Sequence, residues 1–193
     1  MYDLICIGAS WGGLRAIGQV LGDLPDGVGQ PVVIAQHRHR DAYESALGEL
    51  LALRIGRPVV DVEDKTPIEP HRVYVAPPDY HLLVEPGSFA LSLDERIQHS
   101  RPSIDVLFES AADAYGERVI GVILTGANED GAAGLARIKE RGGAAIVQDP
   151  ASAERRTMPA AAIAATVADA VLPLEEIGGF VHGLCVDLPM VRE

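Results

Sequence analysis

Hydrophobic residues along this chain fall into short unbroken runs that alternate with stretches of helical periodicity. Tyr2 to Ile7 is an almost continuous apolar run, the pattern of a strand buried on both faces. Leu14, Ile17 and Leu21 then recur at helical spacing, and Val32 to Ala35 reads as a second buried strand. A helix carrying Ala46, Leu47, Leu50 and Leu51 on one face follows, and Val59 to Val62 is a weaker third strand. The middle of the chain changes character. Val73 to Ala76, His81 to Val84 and Phe89 to Leu93 are short strand-like pieces broken by Pro77-Pro78 and Pro86-Gly87, which predicts an antiparallel ribbon or hairpin.

The clearest helix runs from Ser103 to Tyr115, where Ile104, Leu107, Phe108, Ala111, Ala112 and Tyr115 form one apolar stripe and Gly116 stops it. Val119 to Leu124 is the strongest strand. A helix from about Gly131 to Arg141, a strand from Ala144 to Val147, an alanine-rich helix with Pro159 as its first residue and a short strand from Ala170 to Leu172 complete the pattern. Strands alternating with helices imply βαβ units, hence an α/β fold whose mainly parallel sheet is covered on both faces. With no repeat, low-complexity linker or break in composition, residues 1–193 read as a single domain.

Composition narrows the function. The chain is 48% hydrophobic and 23% charged, which excludes a disordered or fibrous protein. Its net charge of -12 is opposite to that of a general nucleic-acid or anionic-membrane binder. No apolar run is long enough to span a membrane, and the start Met1-Tyr2-Asp3 lacks the features of a signal peptide, so a cytoplasmic location is expected. Cys6 and Cys185 lack metal-ligand spacing, and Cys6 reads as a small buried hydrophobe.

In parallel sheets ligands bind beyond the carboxyl ends of the strands. That rule selects Gly8-Ala9-Ser10-Trp11-Gly12-Gly13 after the first strand, Gln36-His37-Arg38-His39 after the second, Thr125 to Gly131 after the strongest, and Gln148-Asp149-Pro150. A serine, a histidine and an aspartate on one rim are the residue types of a nucleophile, its general base and the group that orients the base. Spacing alone does not choose Asp130 over Asp149, or His37 over His39. The glycines beside Ser10 fit a helix start that aims N–H groups at an oxyanion, or simply a tight strand-to-helix turn.

Over nearly the whole chain, roughly Asp3 to Leu174, these segments resemble the catalytic domain of the chemotaxis protein-glutamate methylesterases (CheB). The resemblance rests on Ile7-Gly8-Ala9-Ser10 with Gly12-Gly13, Gln36-His37, Val75-Ala76-Pro77 with His81-Leu82, and the run Arg101 to Phe108. Gly121 to Gly126 with Asp130-Gly131-Ala132, then Gln148-Asp149 and Met158-Pro159, complete it. It implies a three-layer α/β/α sandwich with a doubly wound sheet and hairpin, a Ser-His-Asp triad, and no metal or organic cofactor. It also implies a serine esterase that removes methyl groups from glutamate side chains of chemoreceptor-type signalling proteins, releasing methanol. Some members also deamidate receptor glutamines. Carried over by position, Ser10 is the nucleophile, His37 the base and Asp130 the orienting carboxylate. Trp11, Ala127 and Met158 are candidate oxyanion and substrate residues, with plain packing the alternative for Met158. The implied partner is a methylated receptor, with no nucleic acid and no membrane insertion. The receiver domain that many members carry is not expected in this chain.

The sequence departs from the family pattern at Trp11, where a small residue or threonine is usual, at Arg38-His39, and at Ala127-Asn128, where Met-Gly is common. These departures motivate an alternative, a receptor-binding module of the same fold with impaired catalysis. A Rossmann-type nucleotide site fits poorly, because Ser10 stands at the second glycine position and Gln36-His37 replaces the acidic residue. A metal site at His37 and His39 with Asp41 or Glu44 lacks a convincing ligand set. Arg155 and Arg156 suit either an acidic partner surface or plain solvation.

Overall fold

The computed structural model describes residues 2–25, 28–38, 46–55 and 58–186. Nine strands and six α-helices follow one another among them: β1 (Leu4–Ala9), α1 (Gly13–Asp23), β2 (Val32–Gln36), α2 (Ala46–Ile55), β3 (Val59–Asp61) and β4 (Val73–Val75). The hairpin strands β5 (His81–Glu85) and β6 (Ser88–Ser92) come next, then α3 (Ile104–Tyr115), β7 (Val119–Ile123), α4 (Ala132–Glu140), β8 (Ala144–Gln148), α5 (Thr157–Ala165), β9 (Ala170–Leu172) and α6 (Leu174–Cys185).

Seven strands form one sheet in the order β3-β4-β2-β1-β7-β8-β9, with every pairing parallel. The continuous apolar runs follow from this, because the central strands are buried on both faces. On β1, Ile5, Ile7 and Ala9 join the core beneath α1, α2 and α6, while Leu4 and Cys6 point into the core formed with α3, α4, α5 and the hairpin. These two cores make the three-layer α/β/α sandwich that the resemblance implied.

Three sequence expectations change. Val73 to Ala76 was expected in the antiparallel ribbon, but β4 lies inside the parallel sheet between β2 and β3, and only β5 and β6 form the hairpin. Pro159 is not the first residue of α5, which begins at Thr157; Pro159 sits in the first turn, where its missing N–H is equally harmless. Helix α6 had no counterpart in the sequence reading, although Leu174, Ile177 and Val181 recur at helical spacing after Pro173 and pack under β8 and against α1.

The chain leaves β1 toward β2 and later returns to place β7 on its other side. The loops after β1 and β7 therefore part in opposite directions, which opens a crevice at the switch point. Gly8 brings the third element to it. A Cβ there would lie 2.3 Å from Ile104 Cγ2, so the absent side chain is what lets the start of α3 reach the end of β1. Gly8→Ala is expected to lower stability by about 1–3 kcal/mol through overpacking, and to combine less than additively with Ile104→Ala in urea denaturation.

Candidate active site

Three neighbouring strands, β2, β1 and β7, end at the crevice and deliver His37, Ser10 and the loop to Asp130. Backbone bonds hold the loops in register: Ser10 N–H donates to Thr125 O at 2.9 Å and His37 N–H to Ala9 O at 3.1 Å. Side chains brace them further. Gln36 Nε2 donates to Ser10 O at 2.7 Å and to His37 O at 3.1 Å. Thr125 Oγ1 donates to Trp11 O at 2.9 Å, and Arg38 reaches Ala76 O at 2.6 Å.

His37 Nε2 lies 2.6 Å from Asp130 Oδ2, the short distance of a charge-assisted hydrogen bond. The carboxylate accepts only, so Nε2 carries the hydrogen and Nδ1 is left as the basic nitrogen. Asp130 is fully buried, and its remaining lone pairs are taken by Ser103 Oγ at 2.8 Å, Ile104 N at 2.8 Å and Asp105 N at 3.0 Å. It thus sits on the N-terminus of α3, where free N–H groups and the helix dipole both favour negative charge. Burial opposes ionisation of Asp130, but the His37 hydrogen bond and the Asp105 and Ile104 N–H groups outweigh it and hold its carboxyl below the ordinary value.

Asp105, in the first turn of α3, returns the arrangement. Its Oδ1 accepts from Gly131 N at 2.9 Å and Gly134 N at 2.7 Å, so each carboxylate caps the helix at whose start the other lies. Burial pushes the Asp105 carboxyl up to about 6, against the Gly134 and Gly131 N–H groups and aided by the neighbouring Asp130 charge. The better-solvated of the two by protein donors keeps its charge, and that one is Asp130.

Ser10 is half-buried, beside a cleft of about 340 Å³ lined by Gly12, Gly13, Leu14, Arg15, Gln36 and Arg54. Gly12 has φ 79° and begins α1 without a side-chain cap. Among the described residues, Ser10 Oγ makes no hydrogen bond to His37, and the Trp11 and Ala127 N–H groups make none to protein. Trp11 is 58% exposed; its indole N–H donates to Glu154 at 2.8 Å and the Arg155 guanidinium lies 5.3 Å from its ring centre.

Met158 is 1% exposed and fills the space that a Cβ on Gly126 would occupy, an environment that fits the packing alternative. Asp149 caps its own turn through Ala151 N at 2.9 Å, which leaves Asp130 as the partner of His37. His39, Asp41 and Glu44 lie outside the described residues, among which no metal-binding cluster occurs. The sequence reading did not single out Gln36, Ser100, Thr125 or Asp105 for roles at the site, because each acts through contacts with other loops.

The family model described as CheB methylesterase matches residues 5–181. The chain belongs to the CheB methylesterase family. It is 49% identical over 180 residues to a putative protein-glutamate methylesterase/protein-glutamine glutaminase of Leptospira interrogans, covering 91% of each chain. It is 41% identical to the protein-glutamate methylesterase FrzG of Myxococcus xanthus, over 92% of this chain and 53% of that relative. The crystal structure of the Thermotoga maritima CheB methylesterase catalytic domain superposes with a TM-score of 0.89 at 31% identity, covering 95% of this chain and 99% of that one. The chain therefore shares the fold of that CheB catalytic domain.

The reciprocal caps yield a stability prediction. Asp105 has a folded pKa raised above its unfolded value, so its contribution is fully present below about pH 4 and is lost as pH rises through about 6. Asp105→Asn keeps one oxygen for both glycine N–H groups and removes the buried charge. Urea denaturation should show it gaining on wild type as pH rises from 4.5 to 7.5. Asp105→Ala strands both N–H groups and should cost about 1–3 kcal/mol for each of them.

Proposed function

We propose that this chain is a protein-glutamate methylesterase of the CheB type, acting in the cytoplasm on methylated chemoreceptor-type proteins. Its similarity to protein-glutamate methylesterases supports the reaction, and glutamine deamidation, the glutaminase activity ascribed to the Leptospira relative, is a second activity of the same site. The observation that carries the reading is the His37 Nε2 to Asp130 Oδ2 bond of 2.6 Å beside Ser10. Among the described residues no helix is long and apolar enough to cross a membrane, which is compatible with that location.

In the proposed mechanism His37 Nδ1 takes the Ser10 hydroxyl proton as Oγ attacks the ester carbonyl. Asp130 holds the imidazole with Nε2–H inward and stabilises the imidazolium that forms. The Trp11 and Ala127 N–H groups, which make no hydrogen bond among the described residues, receive the developing oxyanion. The proton then passes to departing methanol, and water releases the glutamate by the same steps reversed. The exposed Trp11 indole, fixed between Glu154 and Arg155, forms one wall for the receptor segment.

The test uses a methyl-esterified receptor fragment. Wild-type protein should release methanol, folded Ser10→Ala should release none, and Asp130→Asn should be slower by about 10⁴-fold. Equal release from wild type and Ser10→Ala would overturn the triad. Binding without release by wild type would instead identify a non-catalytic module.

A further inference from the structure

The basic nitrogen of His37 already has a partner, and it is not Ser10. Ser100 Oγ lies 3.3 Å from His37 Nδ1, and Asn128 Nδ2 donates to Ser100 Oγ at 3.4 Å. Both contacts are long, as hydrogen bonds in unliganded active sites often are. Their directions are nonetheless fixed by elimination. Nε2 carries the ring hydrogen toward Asp130, so Nδ1 accepts and the Ser100 hydroxyl donates. With its proton committed to His37, Ser100 Oγ uses a lone pair for Asn128.

Ser100 is held there by backbone rather than by chance rotation. Ile97 and Ser100 exchange two backbone hydrogen bonds, Ile97 N to Ser100 O at 3.2 Å and Ser100 N to Ile97 O at 2.8 Å. The two residues between them, Gln98 and His99, take φ 47° and 67°. Such a left-handed pair is ordinarily filled by Asn-Gly or Asp-Gly, so side chains larger than glycine are strained in this turn. The next residue is anchored too: Arg101 bonds the carbonyls of Leu93 and Asp94 and the Asp79 carboxylate. Strain that survives between anchors is characteristic of functional positions. Asn128 is one of the residues at which this chain departs from the family pattern.

We propose that Ser100, backed by Asn128, is a positioning residue for His37. Its hydroxyl occupies Nδ1 in the resting site and keeps the imidazole plane aligned until the Ser10 hydroxyl takes its place. The inference rests on the reading of His37 as the base. The Ala127-Asn128 departure thereby extends the hydrogen-bonded chain around the histidine instead of impairing it.

The test combines turnover with a measurement that needs none. Ser100→Ala leaves both backbone bonds of the turn intact, so its melting temperature should match wild type. Its kcat should fall by about 3- to 10-fold with KM unchanged, because a ring no longer held by that bond is less often aligned when the Ser10 hydroxyl reaches Nδ1. The loss should be the same on a methylated receptor fragment and on a small methyl ester, because the residue acts through His37. Ser100→Thr should restore most of the rate. Asn128→Ala should lower kcat in the wild-type background and change nothing further when Ser100 is already alanine. In long-range ¹H–¹⁵N spectra, assigned by the loss of the signal in His37→Gln, the His37 Nδ1 resonance should move in Ser100→Ala and return in Ser100→Thr. An unmoved Nδ1 resonance, or a loss confined to the receptor fragment, would overturn the proposal. If instead Ser10→Ala retained full hydrolysis, the catalytic reading would fail, while the Nδ1 resonance would still report whether Ser100 positions the ring.

Discussion

A carboxylate sealed from water must find protein donors for its lone pairs, or it takes up a proton and ceases to attract an imidazole. Asp130 meets that demand with four donors drawn from the β2 loop and the start of α3: His37 Nε2, Ser103 Oγ, and the N–H groups of Ile104 and Asp105. Three of those donors depend on where α3 begins. That position depends in turn on Gly8 admitting Ile104 against the end of β1. The charge at the heart of the site and the packing of the second core are thus one constraint.

The reciprocal use of Asp105 extends this constraint to α4. Two carboxylates are buried close together, and only the unequal supply of donors separates them. Asp130 holds the helix terminus, the serine and the histidine, whereas Asp105 has two glycine N–H groups on a single oxygen. Hydrogen bonds to an ionised group are roughly twice as strong as neutral ones, so the better-supplied carboxylate keeps the charge. The helix ends are satisfied by the same bonds that set the histidine, which ties the geometry of the site to the stability of the α3-α4 pair.

Much of the fold was legible in the sequence because strands buried on both faces are apolar without interruption. β1, β2, β7 and β8 could be read this way, as could the apolar stripe of α3 with Ser103 at its start and Gly116 at its end. β4 could not be assigned to its sheet, since a three-residue run next to a proline pair carries no record of which strand it will pair with. α6 was missed although its spacing is regular, because it follows a strand too short to announce another βα unit.

The sequence by itself determined the order of strands and helices as far as β9, the rim on which polar loops gather, and the three residue types Ser10, His37 and Asp130 on that rim. Each of these is a local property, written in periodicity and in the residues that end a strand. Spacing left Asp130 and Asp149 open and the family resemblance chose Asp130; only the tertiary structure decided which ring nitrogen of His37 meets it, and that Met158 packs against Gly126. It also brought Ser100 to the same imidazole from 63 positions away in the chain. Contacts of that range arise when helices and loops are brought over the end of one sheet. Hydrogen-bond partners chosen by such packing leave no periodic trace in the chain.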